Sequence, residues 1–237
     1  MGTLAFMHVP KTGGTSLDNL LRTVYGSAYH RVSNGSNLVQ RLDGISKTNK
    51  DIACISGHFE WGMHRYLHKN VRYVVVLRHP IERLLSLFAF VQTREMHKLH
   101  QSSLSMDFAR WVDQSEYACF DNDITRFMSG MSDRGIFPRK TQVTSSDFQR
   151  AVTNLFKCWS VGDTAHLTRF VQDIADTENW ETVPEIPHLL MQPDRLRRSD
   201  LPSAVYRQLE KRNTYDMALW SMYQQLRPFR PREEITS

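Results

Sequence analysis

The sequence has few cysteines and no long hydrophobic run. Cys54, Cys119 and Cys158 are the only cysteines among 237 residues, and none forms a CxxC pair. Neither a disulfide framework nor a zinc site is therefore expected. No stretch of about 18 apolar residues occurs, and the apolar stretch near the N-terminus is too short for a signal peptide. We expect no membrane span and, if the sequence is complete, a cytoplasmic location.

Long runs of one charge, internal repeats and Gly/Pro-rich linkers are also missing. Lys and Arg number 30 against 25 Asp and Glu, a net charge of +5, yet no run of five basic residues occurs. Nucleic acid is therefore not the expected partner, whereas a phosphorylated nucleotide or an acidic glycan fits the basic balance. Without a linker, the chain is expected to form a single domain over residues 1–237.

Short apolar runs alternate with helical patterns along the chain. The runs predict strands buried on both faces of a parallel sheet at Leu4–Val9, Asp51–Ser56, Tyr73–Leu77 and Cys158–Val161. Helices are predicted from Thr15 or Ser16 to Val24, from Pro80 to Val91, and at Met106–Asp113, Asp123–Met128, Asp147–Phe156, Ala165–Ala175 and Ser203–Leu226, the last broken near Asn213. This order predicts an α/β fold, a P-loop-like parallel sheet flanked by helices on both faces. The polar stretches Ser33–Asn49 and Ser129–Ser146 are predicted to be surface insertions.

A glycine-containing loop joins the first predicted strand to the first predicted helix. Its residues are Lys11, Thr12, Gly13, Gly14, Thr15 and Ser16. Glycines let successive N–H groups point inward, and a helix N-terminus adds partial positive charge, so the loop is a seat for phosphate or sulfate. In the nucleoside-triphosphate loop GxxxxGKS/T the lysine follows the glycines. Here Lys11 precedes them, which argues against a kinase arrangement.

The end of the Tyr73–Leu77 strand repeats this design. Arg78 ends the strand, Pro80 begins a helix, and Ser86 lies further along the same helix. An arginine fork can donate two parallel hydrogen bonds to a phosphate. Two anion seats at strand ends of one parallel sheet favour a ligand with two phosphate groups.

Together these two segments resemble the sulfotransferase family that includes heparan-sulfate and uronyl 2-O-sulfotransferases and bacterial relatives. The resemblance implies an enzyme that transfers a sulfuryl group from 3′-phosphoadenosine 5′-phosphosulfate (PAPS) to an acceptor hydroxyl, without a metal. It implies that residues 11 to 16 bind the 5′-phosphosulfate, with Lys11 also catalytic, and that Arg78 and Ser86 bind the 3′-phosphate. The acceptor is expected to be a carbohydrate or another small molecule.

Further segments match the same family in the same order. The segment Ile55–Phe59 is similar to the family's GH segment, whose histidine is the proposed base, which implies His58. The segments Asp123–Gly130, Val161–Asp163 and Asn213–Trp220 resemble later family motifs. The segment Pro187–Leu190 lacks an expected asparagine. The arginines that follow it, Arg195, Arg197 and Arg198, have no assigned role.

Several assignments stay open from the sequence. An imidazole can accept a proton near neutral pH, but His8, His64 and His79 compete with His58 for this role. Glu60 is a further candidate base. Two other functions are also open, a P-loop-type small-molecule kinase and a non-catalytic module that binds anionic glycans.

Overall fold

Five parallel strands form one sheet in the computed structural model, which describes residues 2–32, 38–48, 52–67, 70–186 and 196–226. The strands are β1 (Thr3–Met7), β2 (Tyr29–Val32), β3 (Cys54–Gly57), β4 (Val71–Leu77) and β5 (Ser160–Asp163). They are ordered β2-β3-β1-β4-β5, with β1 hydrogen-bonded to β3 on one side and to β4 on the other. The predicted α/β fold with a parallel sheet is confirmed. All four predicted strands exist, with ends that differ by up to three residues.

Helices connect the strands and form the layers around the sheet. They are α1 (Gly14–Tyr25), α2 (Leu38–Thr48), α3 (Pro80–Gln92), α4 (His100–Ser105), α5 (Phe108–Asp113), α6 (Asp123–Ser129), α7 (Ser145–Lys157), α8 (Leu167–Glu178), α9 (Ser203–Arg212) and α10 (Thr214–Leu226). The predicted break near Asn213 is confirmed, since α9 and α10 meet there. In the part of the chain that the structure describes, no helix is both long enough and apolar enough to cross a membrane.

The prediction that two polar stretches are surface insertions is wrong in part. Residues 38–48 within the Ser33–Asn49 stretch form α2, whose Leu42 is fully buried in the core. In the Ser129–Ser146 stretch, Asp133 and Arg134 are buried and tie the segment to the rest of the protein. Both stretches were predicted to be insertions because they are polar overall. In the first, that polarity obscured Leu38, Leu42 and Ile45, which recur at helical spacing.

Alternate side chains of the central strands feed two cores on opposite faces of the sheet. From β1, Ala5 and Met7 join one core, and Leu4 and Phe6 join the other. Helices α6, α7 and α10 contribute to the first core, while α1 and α8 contribute to the second. Helices therefore cover both faces, as predicted. Because the chain adds β2 and β3 on one side of β1 and β4 and β5 on the other, the carboxyl end of β1 is the switch point where such sheets bind ligands.

The last two helices are anchored to α6 by buried polar side chains. The Asp216 carboxylate accepts hydrogen bonds from the N–H of Ile124 (3.0 Å) and from the N–H and hydroxyl of Thr125 (both 2.7 Å). The Asn122 side-chain oxygen accepts from the N–H groups of Tyr215 and Asp216. Asp216 is fully buried, and burial raises its pKa to about 6 against the opposing effect of Arg83 and these donors. The Asn213–Trp220 segment thus anchors α10 to α6.

Candidate functional site

The loop after β1 has the backbone curl that an anion seat needs. Lys11 and Gly13 both adopt left-handed backbone conformations, with φ of 69° and 84°. A left-handed φ is uncommon for a residue other than glycine and often marks a functional turn. Gly13 precedes the first residue of α1, and no side chain caps that helix. The predicted cap at Thr15 or Ser16 is therefore wrong by two or three residues, and the helix N-terminus stays open toward the loop.

Inside the loop, Thr12 and Gly14 serve packing as well as binding. The Thr12 side chain is fully buried and its hydroxyl donates to the carbonyl of Val9 at 2.9 Å. A Cβ atom on Gly14 would lie 2.1 Å from Cδ2 and 2.3 Å from Nε2 of His8. The imidazole of His8 thus occupies the space that a side chain at position 14 would need. By contrast, Thr15 is exposed and Ser16 is buried.

Two bonds join the first loop to the second strand end. The guanidinium of Arg78 donates to the carbonyl of Lys11 at 3.1 Å and lies 3.8 Å from the Glu82 carboxylate. The hydroxyl of Thr164, just after β5, lies within hydrogen-bonding distance of the carbonyls of Thr12 (2.8 Å) and Leu77 (3.2 Å). The two predicted anion seats are therefore adjacent. Ser86 lies half-buried on α3, two turns beyond Arg78.

His58 lies immediately after β3 and contacts His8, which lies three residues before the loop. Its Nδ1 is 2.6 Å from the carbonyl oxygen of His8, and the two ring centroids are 4.4 Å apart. A carbonyl can only accept a hydrogen bond, so Nδ1 carries the proton and Nε2 keeps its lone pair. Burial lowers the pKa of His58, partly opposed by the bond to His8. The imidazole is thus neutral and basic at Nε2 near pH 7.

His8 is itself a buried, neutral imidazole. Its side chain is only 5% exposed, and its ring stacks on Phe6 with centroids 5.3 Å apart. Burial lowers its pKa well below the ordinary value, and the nearby His58, Arg31 and Lys11 lower it further. His8 therefore supports both the loop, through Gly14, and the histidine after β3, through its carbonyl group and its ring.

The alternative base Glu60 is already engaged in an ion pair. Its carboxylate contacts the guanidinium of Arg134, which is buried and also donates to the carbonyl of His58 at 3.2 Å. The Glu60 carboxylate therefore already has a partner in the protein. The geometry favours a supporting role in which the Glu60–Arg134 pair fixes the backbone at His58.

The other candidate bases, His64 and His79, contact residues outside the Lys11–Ser16 loop. His64 is half-buried, and its Nδ1 lies 3.0 Å from the hydroxyl of Tyr73, whose ring belongs to the first core. His79 stands beside Arg78, with its ring 6.0 Å from that of Trp220, and burial together with Arg198 lowers its pKa to about 4. Arg198 is thus near the second strand end, whereas the backbone N–H of Arg197 donates to Asp200. Arg195 and the segment Pro187–Leu190 lie outside the described residues.

Among the described residues there is no metal site, and two supporting residues were not predicted from the sequence. Over the described ranges, no cluster of three or more His, Cys, Asp or Glu side chains could hold a metal ion. The sequence analysis missed Thr164 and Arg134, although both are close to the predicted residues in space. Thr164 directly follows the strand end at Asp163, a position that could have identified it. Arg134 lies in an irregular segment and carried no such signal.

Comparison with known proteins agrees with this geometry. The sequence profile of the sulfotransferase family matches residues 2–223, which is nearly the whole chain and includes both loops and His58. A search of curated proteins returns no significant match. A match of this extent identifies the chain as a transferase that belongs to the sulfotransferase family, and the parallel sheet agrees with it.

Proposed function

We propose that the protein transfers the sulfuryl group of PAPS to an acceptor hydroxyl, with His58 as the base. The observation that supports this most is the arrangement at the carboxyl end of β1. The Lys11–Ser16 loop, Arg78 and His58 meet there, joined by the bonds to the carbonyls of Lys11 and His8. The family match supports sulfuryl transfer in general. Two adjacent anion seats suit a donor with a phosphate at each end.

In the proposed reaction, Nε2 of His58 accepts the proton of the acceptor hydroxyl as its oxygen attacks sulfur. The bond from sulfur to the 5′-phosphate oxygen breaks, and 3′-phosphoadenosine 5′-phosphate leaves. Lys11 and the loop N–H groups stabilise the charge that develops on the leaving oxygen. Such transfer depends on in-line positioning and charge stabilisation. The chain's own residues supply both without a metal.

The two ends of the donor would be held differently. Residues 11 to 16 would hold the phosphosulfate at the helix N-terminus. Arg78 and Ser86 would hold the 3′-phosphate, with Arg198 near the same strand end. Because the guanidinium of Arg78 also donates to the Lys11 carbonyl, binding at one seat would order the other. The proposed acceptor is a carbohydrate or another small molecule with a free hydroxyl.

The test combines nucleotide binding with turnover. Calorimetry with 3′-phosphoadenosine 5′-phosphate should show binding that Lys11→Ala and Arg78→Ala each weaken. Sulfur-labelled PAPS with a panel of sugars, phenols and lipids then identifies the acceptor. The sharpest variant is His58→Asn, whose amide can still donate to the His8 carbonyl but has no basic nitrogen. It should keep nucleotide affinity and lose about 10²–10⁴-fold in kcat.

Other outcomes would favour the remaining candidates. Magnesium-dependent consumption of ATP, with no binding of the adenosine bisphosphate, would indicate a kinase. Salt-sensitive glycan binding that needs no nucleotide and survives Lys11→Ala would indicate a binding module. Turnover in His58→Asn equal to that of the wild type would assign the base to another residue, and Glu60→Gln would be the next variant to assay.

A further inference from the structure

An aromatic ring outside the two anion seats lies against the lysine of the phosphate loop. The ammonium nitrogen of Lys11 is 3.8 Å from the centroid of the Phe90 ring. Phe90 lies on α3, one turn beyond Ser86, and is half-buried. The guanidinium carbon of Arg94 is 5.4 Å from the same centroid, and the His97 ring approaches the edge of Phe90 with centroids 5.9 Å apart. The ring thus stands between the loop and the basic residues after α3.

The contact between Lys11 and Phe90 has a clear physical basis. The face of an aromatic ring carries partial negative charge and attracts a cation within about 6 Å of its centroid. Such a contact shifts an equilibrium by about 2-fold at an exposed position and by up to about 30-fold where water is excluded. A lysine side chain has four rotatable bonds, and ordering them opposes any role that needs a fixed ammonium.

We propose that Phe90 is a positioning residue for Lys11, whose ammonium it orders before the donor binds. This inference rests on the proposed function, because the ammonium is useful there only if it neutralises the leaving oxygen. Phe90 acts through the lysine and has no assigned contact with either substrate. Its location on α3 also links the lysine to the helix that carries Ser86. A single rigid helix would then set both ends of the donor site.

Steady-state kinetics with matched variants test the role of the ring face. Phe90→Leu removes the aromatic face but keeps an apolar side chain, and it should lower kcat/KM for the donor by about 3- to 30-fold. Phe90→Tyr keeps the face and should stay within about 2-fold of the wild type. Phe88→Leu is the control on the same helix, since the ring centroid of Phe88 lies 5.4 Å from that of Phe108 and 5.0 Å from that of Trp111. It should also keep kcat/KM. Equal losses in the Leu and Tyr variants of Phe90, or none in Phe90→Leu, would overturn the proposal.

A double-mutant cycle separates an effect through Lys11 from a general loosening of α3. If the ring acts only on the ammonium, Phe90→Leu should change kcat/KM by less than about 2-fold in the Lys11→Ala background. The same loss in both backgrounds would contradict the inference. Thermal unfolding of all the variants identifies any loss caused by partial unfolding.

A nucleotide-free measurement makes the contact itself testable. In proton–carbon spectra of lysine-labelled protein, the ε-methylene of Lys11 should be shifted upfield by the Phe90 ring current. Its signal is identified by its absence from Lys11→Arg. The shift should vanish in Phe90→Leu and persist in Phe90→Tyr and Phe88→Leu. The lack of an upfield shift in the wild type would overturn the inference. If the shift is present but no adenosine bisphosphate binds, sulfuryl transfer from PAPS is refuted, and with it the role of Phe90, while the contact stands.

Discussion

Replacing Gly14 by alanine tests the packing between the phosphate loop and His8. Gly14 is the first residue of α1 and its φ is not in the left-handed region, so the backbone itself would accept alanine. Any loss of stability must therefore come from the new methyl group. That methyl would lie 2.1 Å from Cδ2 and 2.8 Å from Cγ of the His8 ring.

The size of the effect follows from the room around the imidazole. Ordinary contact begins at 3.4 Å, so the ring would have to retreat by about 1.3 Å, the difference from 2.1 Å. It is buried, with the ring of Phe6 stacked on it and the ring of His58 4.4 Å away. Overpacking of this kind costs about 1–3 kcal/mol. We expect Gly14→Ala to lower the free energy of unfolding by that amount.

Urea denaturation with a matched glycine substitution measures the effect. Gly44 lies within α2, and among the described residues no atom beyond the backbone of that helix lies within 4 Å of a Cβ built there. Alanine is favoured over glycine in a helix interior by up to about 1 kcal/mol, so Gly44→Ala should leave stability unchanged or raise it. The two Gly→Ala variants should thus differ in sign.

The double variant His8→Ala/Gly14→Ala identifies the cause. With the imidazole removed, the methyl at position 14 has room, and Gly14→Ala should cost almost nothing further. The coupling between the two positions should be at least about 1 kcal/mol. Gly14→Ala with wild-type stability, or a cost that is unchanged in the His8→Ala background, would refute the reasoning.

Three further predictions concern buried titratable groups. Asp216→Asn should lower the free energy of unfolding, measured in urea, by about 2–3 kcal/mol. The two carboxylate oxygens accept from Ile124 and Thr125, whereas asparagine has one oxygen, so its NH2 group would face one of these N–H donors. An unchanged urea midpoint would refute this anchoring role. The pKa of His79 is lowered to about 4 in the folded protein, so the unfolded chain binds more protons between that value and 6.5, and stability should fall as pH decreases through this window. Urea titrations of wild type and His79→Phe at pH 7.5 and 4.5 check this, since the variant should lose less stability than the wild type and equal losses would contradict it. Because burial lowers the pKa of His58 in the free enzyme, the acid limb of kcat/KM for sulfuryl transfer should have its midpoint below about 6.5; a midpoint above 7 would show that another group limits the rate.

The sequence predicted the central strands and their two loops because the signals there are local. Val74, Val75 and Val76 form a short, β-branched apolar run, which is typical of a strand buried on both faces, and all three are buried in the structure. Pro80 at the first position of α3 marks a helix start that the structure confirms. Strand β2 was missed because its four residues, with His30 and Arg31 side by side, form neither an apolar run nor an alternating pattern.

The supporting contacts could not be predicted from the sequence, since they join residues far apart in the chain. Arg134 reaches the carbonyl of His58 from 76 positions away, and Thr164 reaches that of Thr12 from 152 away. No periodicity or motif marks such pairs. Their positions depend on which strand ends meet, which the sheet order decides.

The strand–loop–helix units, the prediction of two anion seats and the family resemblance came from the sequence alone, because each depends on residues close together in the chain. The protonation of His58, the proposed base, follows from a tertiary contact: Nδ1 carries the proton because the carbonyl of His8, 50 positions away, accepts it. The tertiary structure also decided that Lys11 lies against Phe90, because packing of α3 beside the loop brings them together.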